Sequence, residues 1–231
     1  MNEREKQFLL LQINDALFPI GGYAHSYGLE TYIQKGLVNN AETAVRYIKH
    51  MLRYNICYTD LLAVSLAYQY AENEEVMKLT ELSEVLTAIK FPMEIRAASH
   101  KLGSRFVKTV KAFSIQPEGS IFLEYIKKSE LIPVHHTIAY GVFCASAEIL
   151  YEDVLEAFLY AQVSAMVTNC VKSIPLSQTA GQKMLFGFHG VMEEILAETG
   201  RLSKEDLGRS APGFDIRSMQ HEALYSRLYM S

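Results

Sequence analysis

The side chains able to do chemistry in this chain form a small set. His135 adjoins His136, His25 stands five positions before Glu30, His221 is followed at once by Glu222, and there are three cysteines, Cys57, Cys144 and Cys170. Histidine and carboxylate groups at helical spacing can ligate a metal or move a proton. The spacings here argue against most of that chemistry. Neighbours on a helix point about 100 degrees apart, so His135 and His136 cannot readily chelate one ion. The pair is expected to cap a helix starting after Pro133, one imidazole hydrogen-bonded and the other facing solvent. His25 and Glu30 lie more than one helical turn apart, and His25 reads as a turn histidine. His221-Glu222 opens like the zinc-hydrolase motif HExxH, but Tyr225 occupies the position of the second ligand. The alternative is a helical metal-dependent hydrolase that gathers His25, Glu30, His135 and His136 into a shared pocket.

Other catalytic patterns are missing. The sequence has no GxxxxGK[ST] loop to cradle nucleotide phosphates, no GxGxxG dinucleotide fingerprint and no GxSxG nucleophile elbow. The cysteines show no CxxC spacing, so they read as small buried hydrophobes in a reducing compartment. A net charge of −4 supplies no basic stripe for nucleic acid. The opening MNEREKQFLLLQ has only a short apolar run and no small-residue cleavage site, which predicts no secretory signal and a cytoplasmic location.

The elements that must position these residues are helices. With 231 residues, 49% hydrophobic and 21% charged, the chain can bury a substantial core in one domain. Pro19, Pro92, Pro117, Pro133, Pro175 and Pro212 punctuate segments whose apolar residues recur every three or four positions. Pro19 is expected to end the first helix, and a second helix is expected to finish near Gly36. Val45, Ile48, Met51 and Leu52 mark one helix face, with Asn39 and Glu42 at its start. LLAVSLAY, residues 61–68, is apolar nearly all round and reads as a buried helix. Leu159, Val163, Met166 and Cys170 repeat along a long segment from Asp153 to Pro175, the expected central helix. Glu156, Gln162 and Asn169 interrupt that segment and argue against a membrane span. No strand pair or internal repeat stands out, so the expected fold is an all-α, single-domain multi-helix bundle around a central apolar helix. Residues 208–231 form a tail of different texture, with loop signals in RSAPGFD.

Four ordered stretches carry a resemblance. PIGGYAHSYGLE (19–30), HHTIAYG (135–141), IPLSQTAGQ (174–182) and DIRSMQHEALYSRLYMS (215–231) are similar to the recurring segments of the urease accessory protein UreF family. Tyr23 and Ala24 stand where the family often carries Phe and Ser, Ser177 where it often has Gly, and Tyr229 where it often has Phe. The resemblance implies a non-enzymatic, all-α scaffold for nickel insertion into apo-urease. Such a protein complexes with UreD, also called UreH, forms a homodimer in that complex, and recruits and modulates the GTPase UreG. It implies no stably bound cofactor, with nickel handled by the complex.

On this reading the partner-binding candidates are Pro19, Gly21, Gly22, His25, Ser26 and Glu30 in the first stretch and His135, His136 and Tyr140 in the second. Lys172, Gln178 and Gln182 follow around Pro175, where the helix is expected to kink or restart and the two glutamines to share a face. The last group is Tyr225, Arg227, Leu228 and Tyr229. From Ser218 onward, Leu224, Tyr225, Leu228 and Tyr229 are expected to make an apolar helical strip, with Arg227 projecting elsewhere. That strip can dock on the chain's own body or on a partner.

Overall fold

The computed structural model describes residues 1–22, 26–116, 119–129, 132–209 and 211–225. Tyr23, Ala24, His25, Pro117, Arg227, Leu228 and Tyr229 lie outside the described residues. Within them the chain is helical, with no strand. The order is α1 (Glu3–Ile13), α2 (Leu29–Gln34), α3 (Ala41–Tyr54), α4 (Asp60–Glu72), α5 (Val76–Ile89) and α6 (Met93–Lys111). Then come α7 (Ile121–Lys128), α8 (His136–Ser146), α9 (Tyr151–Ser173), α10 (Gln178–Gly187), α11 (His189–Thr199) and α12 (Pro212–His221). This is the all-α class that the apolar spacing predicts.

At the centre, α4 lies against α8. Residues Leu61 to Tyr68 of α4 and Thr137 to Cys144 of α8 are buried without interruption, so both helices are apolar all round. Close approach depends on small residues. A Cβ on Gly141 would stand 2.7 Å from the Val64 carbonyl oxygen and 3.0 Å from the Ala67 side chain. The helix α9 packs against α1, α2, α3, α4, α8, α10 and α11, which makes it the hub expected from its repeat. Among the described residues it is the one helix long and apolar enough to cross a membrane, and half of its most apolar stretch is buried within the body. Its inner residues Leu159, Val163 and Cys170 belong to a continuous core with α4 and α8.

Two boundaries differ from the sequence expectation. The first helix ends at Ile13, well before Pro19, because Asn14 stops it: the Asn14 amide donates to the Leu10 carbonyl and to the Tyr140 hydroxyl, each at 2.8 Å. A tertiary partner, invisible locally, sets that end. The start of α3 is also shifted by one residue. Its capping residue is Asn40, which accepts from the Thr43 amide at 3.0 Å, while the Asn39 amide is held by the Thr43 hydroxyl. Ile48, Met51 and Leu52 are buried as the pattern requires, but Val45 is exposed and Ala44 and Tyr47 take its place in the core.

Candidate partner-binding surface

Just before the first of the four stretches, Phe18 is buried and packs its ring near Phe106 and Phe113. Pro19 itself is exposed. Gly21 adopts a φ of +82° and sits beside the Arg105 guanidinium, which donates to the Ile20 carbonyl. Gly22 has open space where a side chain would be, so nothing steric requires glycine there. Tyr27 and Gly28 then take φ values of 51° and 82°, two successive left-handed residues that reverse the chain into α2. Gly28 also permits contact, since a Cβ there would lie 2.7 Å from the Ser218 hydroxyl. Ser26 is buried, and its hydroxyl has no hydrogen-bond partner among the described residues.

The occupant opposite this turn is α12. Pro212 and Gly213, read from sequence as loop signals, form its first turn, where proline lacks only an amide that the helix does not use. The segment is tied to the body by backbone bonds from Gly208 to Tyr58 at 2.8 Å and from Ala211 to Tyr54 at 2.9 Å. The Thr31 hydroxyl donates to the Arg217 carbonyl at 2.9 Å, and Phe214 packs beside the rings of Tyr32 and Tyr47. Most distinctive is His221. Its Nε2 lies 2.9 Å from Glu30 and its Nδ1 2.6 Å from Glu94, with all three side chains buried or nearly so. The part of the tail from Gly208 to His221 therefore docks on its own body. The helix stops at His221, so the expected strip does not form over Leu224 and Tyr225; Tyr225 is wholly exposed.

Between the turn, α12 and the core lies a cavity of about 80 Å³, room for several waters by the usual measure. Tyr27 and α12 residues Phe214, Asp215 and Ser218 form part of its wall, facing Asp60, Lys90 and His136. Lys90 is buried and donates to Asp60 at 2.9 Å. The Asp215 carboxyl is held above its ordinary range by burial, with Lys90 pulling in the opposite direction. The Tyr27 hydroxyl is pushed up by burial, and the Asp60 charge adds to the effect.

His135 is fully buried, and His136 is partly exposed and lines the cavity. His135 occupies the cap position of α8, but its side chain makes no cap. Its Nδ1 lies 2.8 Å from the Ser99 hydroxyl and its Nε2 2.8 Å from Thr87 and 3.2 Å from His100. The Thr87 hydroxyl already donates to the Ser83 carbonyl at 2.8 Å. Only its lone pairs remain, so Nε2 of His135 carries the proton and Nδ1 accepts from Ser99. Burial pushes His135 down to about 2, with Lys90 and His100 adding to the effect, and pushes His136 down to about 4. Both rings are neutral. His136 faces the cavity and aromatic side chains, and its Nε2 has no hydrogen-bond partner among the described residues. Tyr140 is likewise internal, accepting from Asn14 and donating to the Val154 carbonyl at 3.4 Å. His135 and Tyr140 are buried in the core, and His136 is partly exposed. Glu30 bonds to His221 and His135 to Thr87 and Ser99, so among the described residues these two members of the hydrolase alternative lie in different clusters, and His25 lies outside the described residues. Among the described residues no group of three or more His, Cys, Asp or Glu is placed to hold a metal.

The stretch around Pro175 does reach the surface. The helix α9 ends at Ser173 and α10 restarts at Gln178, with Ser177 capping the Ala180 amide at 3.1 Å. Lys172, Gln178 and Gln182 are exposed, and Phe186, one further turn along α10, is exposed to 73%. A large aromatic ring aligned with two exposed glutamines is a feature of recognition surfaces.

Residues 38–189 match the model of the UreF family. Relatives named "Urease accessory protein UreF" are similar over nearly the full length. The Bacillus sp. (strain TB-90) protein is 35% identical over 224 residues, covering 96% of this chain and 97% of its own. Two from Actinobacillus pleuropneumoniae, serotype 5b (strain L20) and serotype 3 (strain JL03), are each 35% identical over 222 residues, with the same coverage. The chain belongs to the UreF family.

Within this UreF-family chain, sequence reading missed Tyr27, Glu94, Asp215 and Phe186. Glu94 follows Pro92 as an ordinary first-turn acid of α6, and nothing local announces that His221 will meet it. Phe186 had a usable signal, because it lies at positions i, i+4 and i+8 with Gln178 and Gln182 on one helix face.

Proposed function

We propose that the chain is a non-enzymatic scaffold of urease maturation. In this reading it complexes with UreD/UreH, forms a homodimer within that complex, and recruits and modulates the GTPase UreG so that nickel reaches apo-urease. The observation that carries it is the full-length likeness to proteins named as urease accessory proteins. The geometry is in keeping with a scaffold. His135, His221 and Tyr140 are spent on internal hydrogen bonds, while Lys172, Gln178, Gln182 and Phe186 are exposed. The phosphate-binding loop absent from the sequence would be supplied by UreG.

The test is urease activation in cells that express urease and the other accessory proteins, with and without this chain, reading both urease activity and nickel bound per purified urease. Activation and nickel content should fall together when the chain is absent. Unchanged values would overturn the proposal and favour a helical adaptor unrelated to nickel.

A further inference from the structure

We propose that the outer face of α6 is a docking surface for an acidic helix of a partner protein, held by the row Lys101, Arg105, Lys108 and Lys111. The net charge of −4 hides a local excess of the opposite sign. From Ile95 to Gln116 the sequence carries Arg96 and these four cations and no Asp or Glu, which leaves 17 cations against 26 acids elsewhere. All four are exposed. Lys101, Lys108 and Lys111 make no ion pair with any described residue, and Arg105 donates to the Ile20 carbonyl at 3.1 Å. The nearest acids in the chain are engaged elsewhere. Glu94, at the start of α6, bonds to His221, and Asp15, in the loop that Phe18 packs against α6, accepts from the Leu17 amide at 2.7 Å.

Spacing and texture choose the occupant. At about 1.5 Å of rise per residue the four cations follow one another at about 6, 4.5 and 4.5 Å along the axis, within a sector of about 120 degrees. Carboxylates three and four residues apart on a second helix repeat with the same period, so a helix laid alongside can set an acid against each cation. Ala97, Ser104 and Ala112, exposed on the same side, are small enough to let it approach. The same texture disfavours other anionic surfaces. From Ala97 to Ala112 no large apolar side chain is exposed to enter a bilayer, and no aromatic ring is exposed to stack on bases. A two-fold pairing of two copies through this face would set the cationic row against itself.

The experiment is fluorescence anisotropy on the full chain with a labelled helical peptide of about 20 residues that carries glutamates at three- and four-residue spacing along one face. A scrambled peptide of identical composition, duplex DNA and phosphatidylserine vesicles are the comparisons. The wild-type chain should bind the patterned peptide saturably, one to one, and several-fold more weakly at about 150 mM salt than at about 20 mM. Lys101→Glu/Lys108→Glu should weaken binding by roughly tenfold or more at the lower salt, whereas Lys127→Glu/Lys128→Glu, the same charge change on exposed residues of α7, should cost less than about twofold. Both pairs are exposed, so both variants should melt as the wild type does. Equal affinity for the scrambled peptide, or tighter binding of the wild-type chain to DNA or vesicles, would overturn the proposal without recourse to any variant. So would equal weakening by the α7 variant, or a homodimer that the α6 variant alone disrupts.

Discussion

Glu30 and His221, 191 positions apart in sequence, meet at 2.9 Å in the interior of the protein. The contact joins the end of the glycine-containing turn to α12, and Thr31, one residue on, adds a second bond to the same helix. Two stretches that read as separate motifs are one structural unit.

That unit makes the length of a C-terminal deletion decisive. Removing residues 212–231 strips α12 from Tyr32, Tyr47, Glu30 and Glu94, and should lower the thermal midpoint by about 5 to 10 °C, a loss on the order of 2 to 3 kcal/mol. Removing only 226–231 leaves every described contact of α12 in place. Under the proposed function that shorter deletion still prevents capture of UreD. Differential scanning fluorimetry and pull-down on the same preparations check both parts, and equal thermal midpoints for the two deletions would refute the docking account.

The exposed side chains of Lys172, Gln178, Gln182 and Phe186 are separable from the fold. Lys172→Glu and Phe186→Asp alter exposed side chains, so each should leave unfolding stability within about 0.5 kcal/mol. Each should nevertheless reduce co-purification of UreG with the accessory complex. Normal recovery of UreG with both variants would remove this surface from consideration.

Acid should destabilise the body as a whole. His135 and His136 are held neutral in the folded chain, at about 2 and about 4, whereas in the unfolded chain each binds a proton near 6.5. Their stabilising contribution is complete above pH 6.5 and is lost as pH falls toward the folded values, at about 1.4 kcal/mol per unit for each ring. Urea midpoints measured at pH 7, 6 and 5 should decline in that order; a flat series would show that these rings are not excluded from protonation.

Tyr140 should behave as a structural residue. Tyr140→Phe removes the oxygen that accepts from Asn14 and donates to Val154, at a cost of about 1 kcal/mol. Its side chain is buried, so the variant should retain full binding to partners at temperatures where it is folded. A partner defect without loss of stability would reverse that assignment.

What the sequence made legible was what neighbours in the chain determine. The all-round apolar character of Leu61 to Tyr68 marked α4, the repeat through Leu159 and Cys170 marked α9, and Pro175 marked the break before α10. What stayed hidden depends on distant partners. Asn14 ends α1 through Tyr140, and His135 finds Thr87, Ser99 and His100 on two other helices. A pair of histidines in sequence looks the same whether it faces water or core. The tail misled for a related reason: Pro212 resembles a loop signal until the helix that begins with it is seen.

The docking of α12 on α2 has a further consequence in time. The chain is made from its N-terminus, and domains begin to fold during synthesis at roughly 5 to 20 residues per second. The turn at Tyr27 and Gly28 and the carboxylate of Glu30 thus wait for a partner that is translated 191 positions later. Until then the face of α2 that α12 covers stays uncovered, and a translation product interrupted before α12 exposes the same face. Among the described residues α12 is the last helix to be made, so its docking on α2 marks that synthesis has passed residue 221.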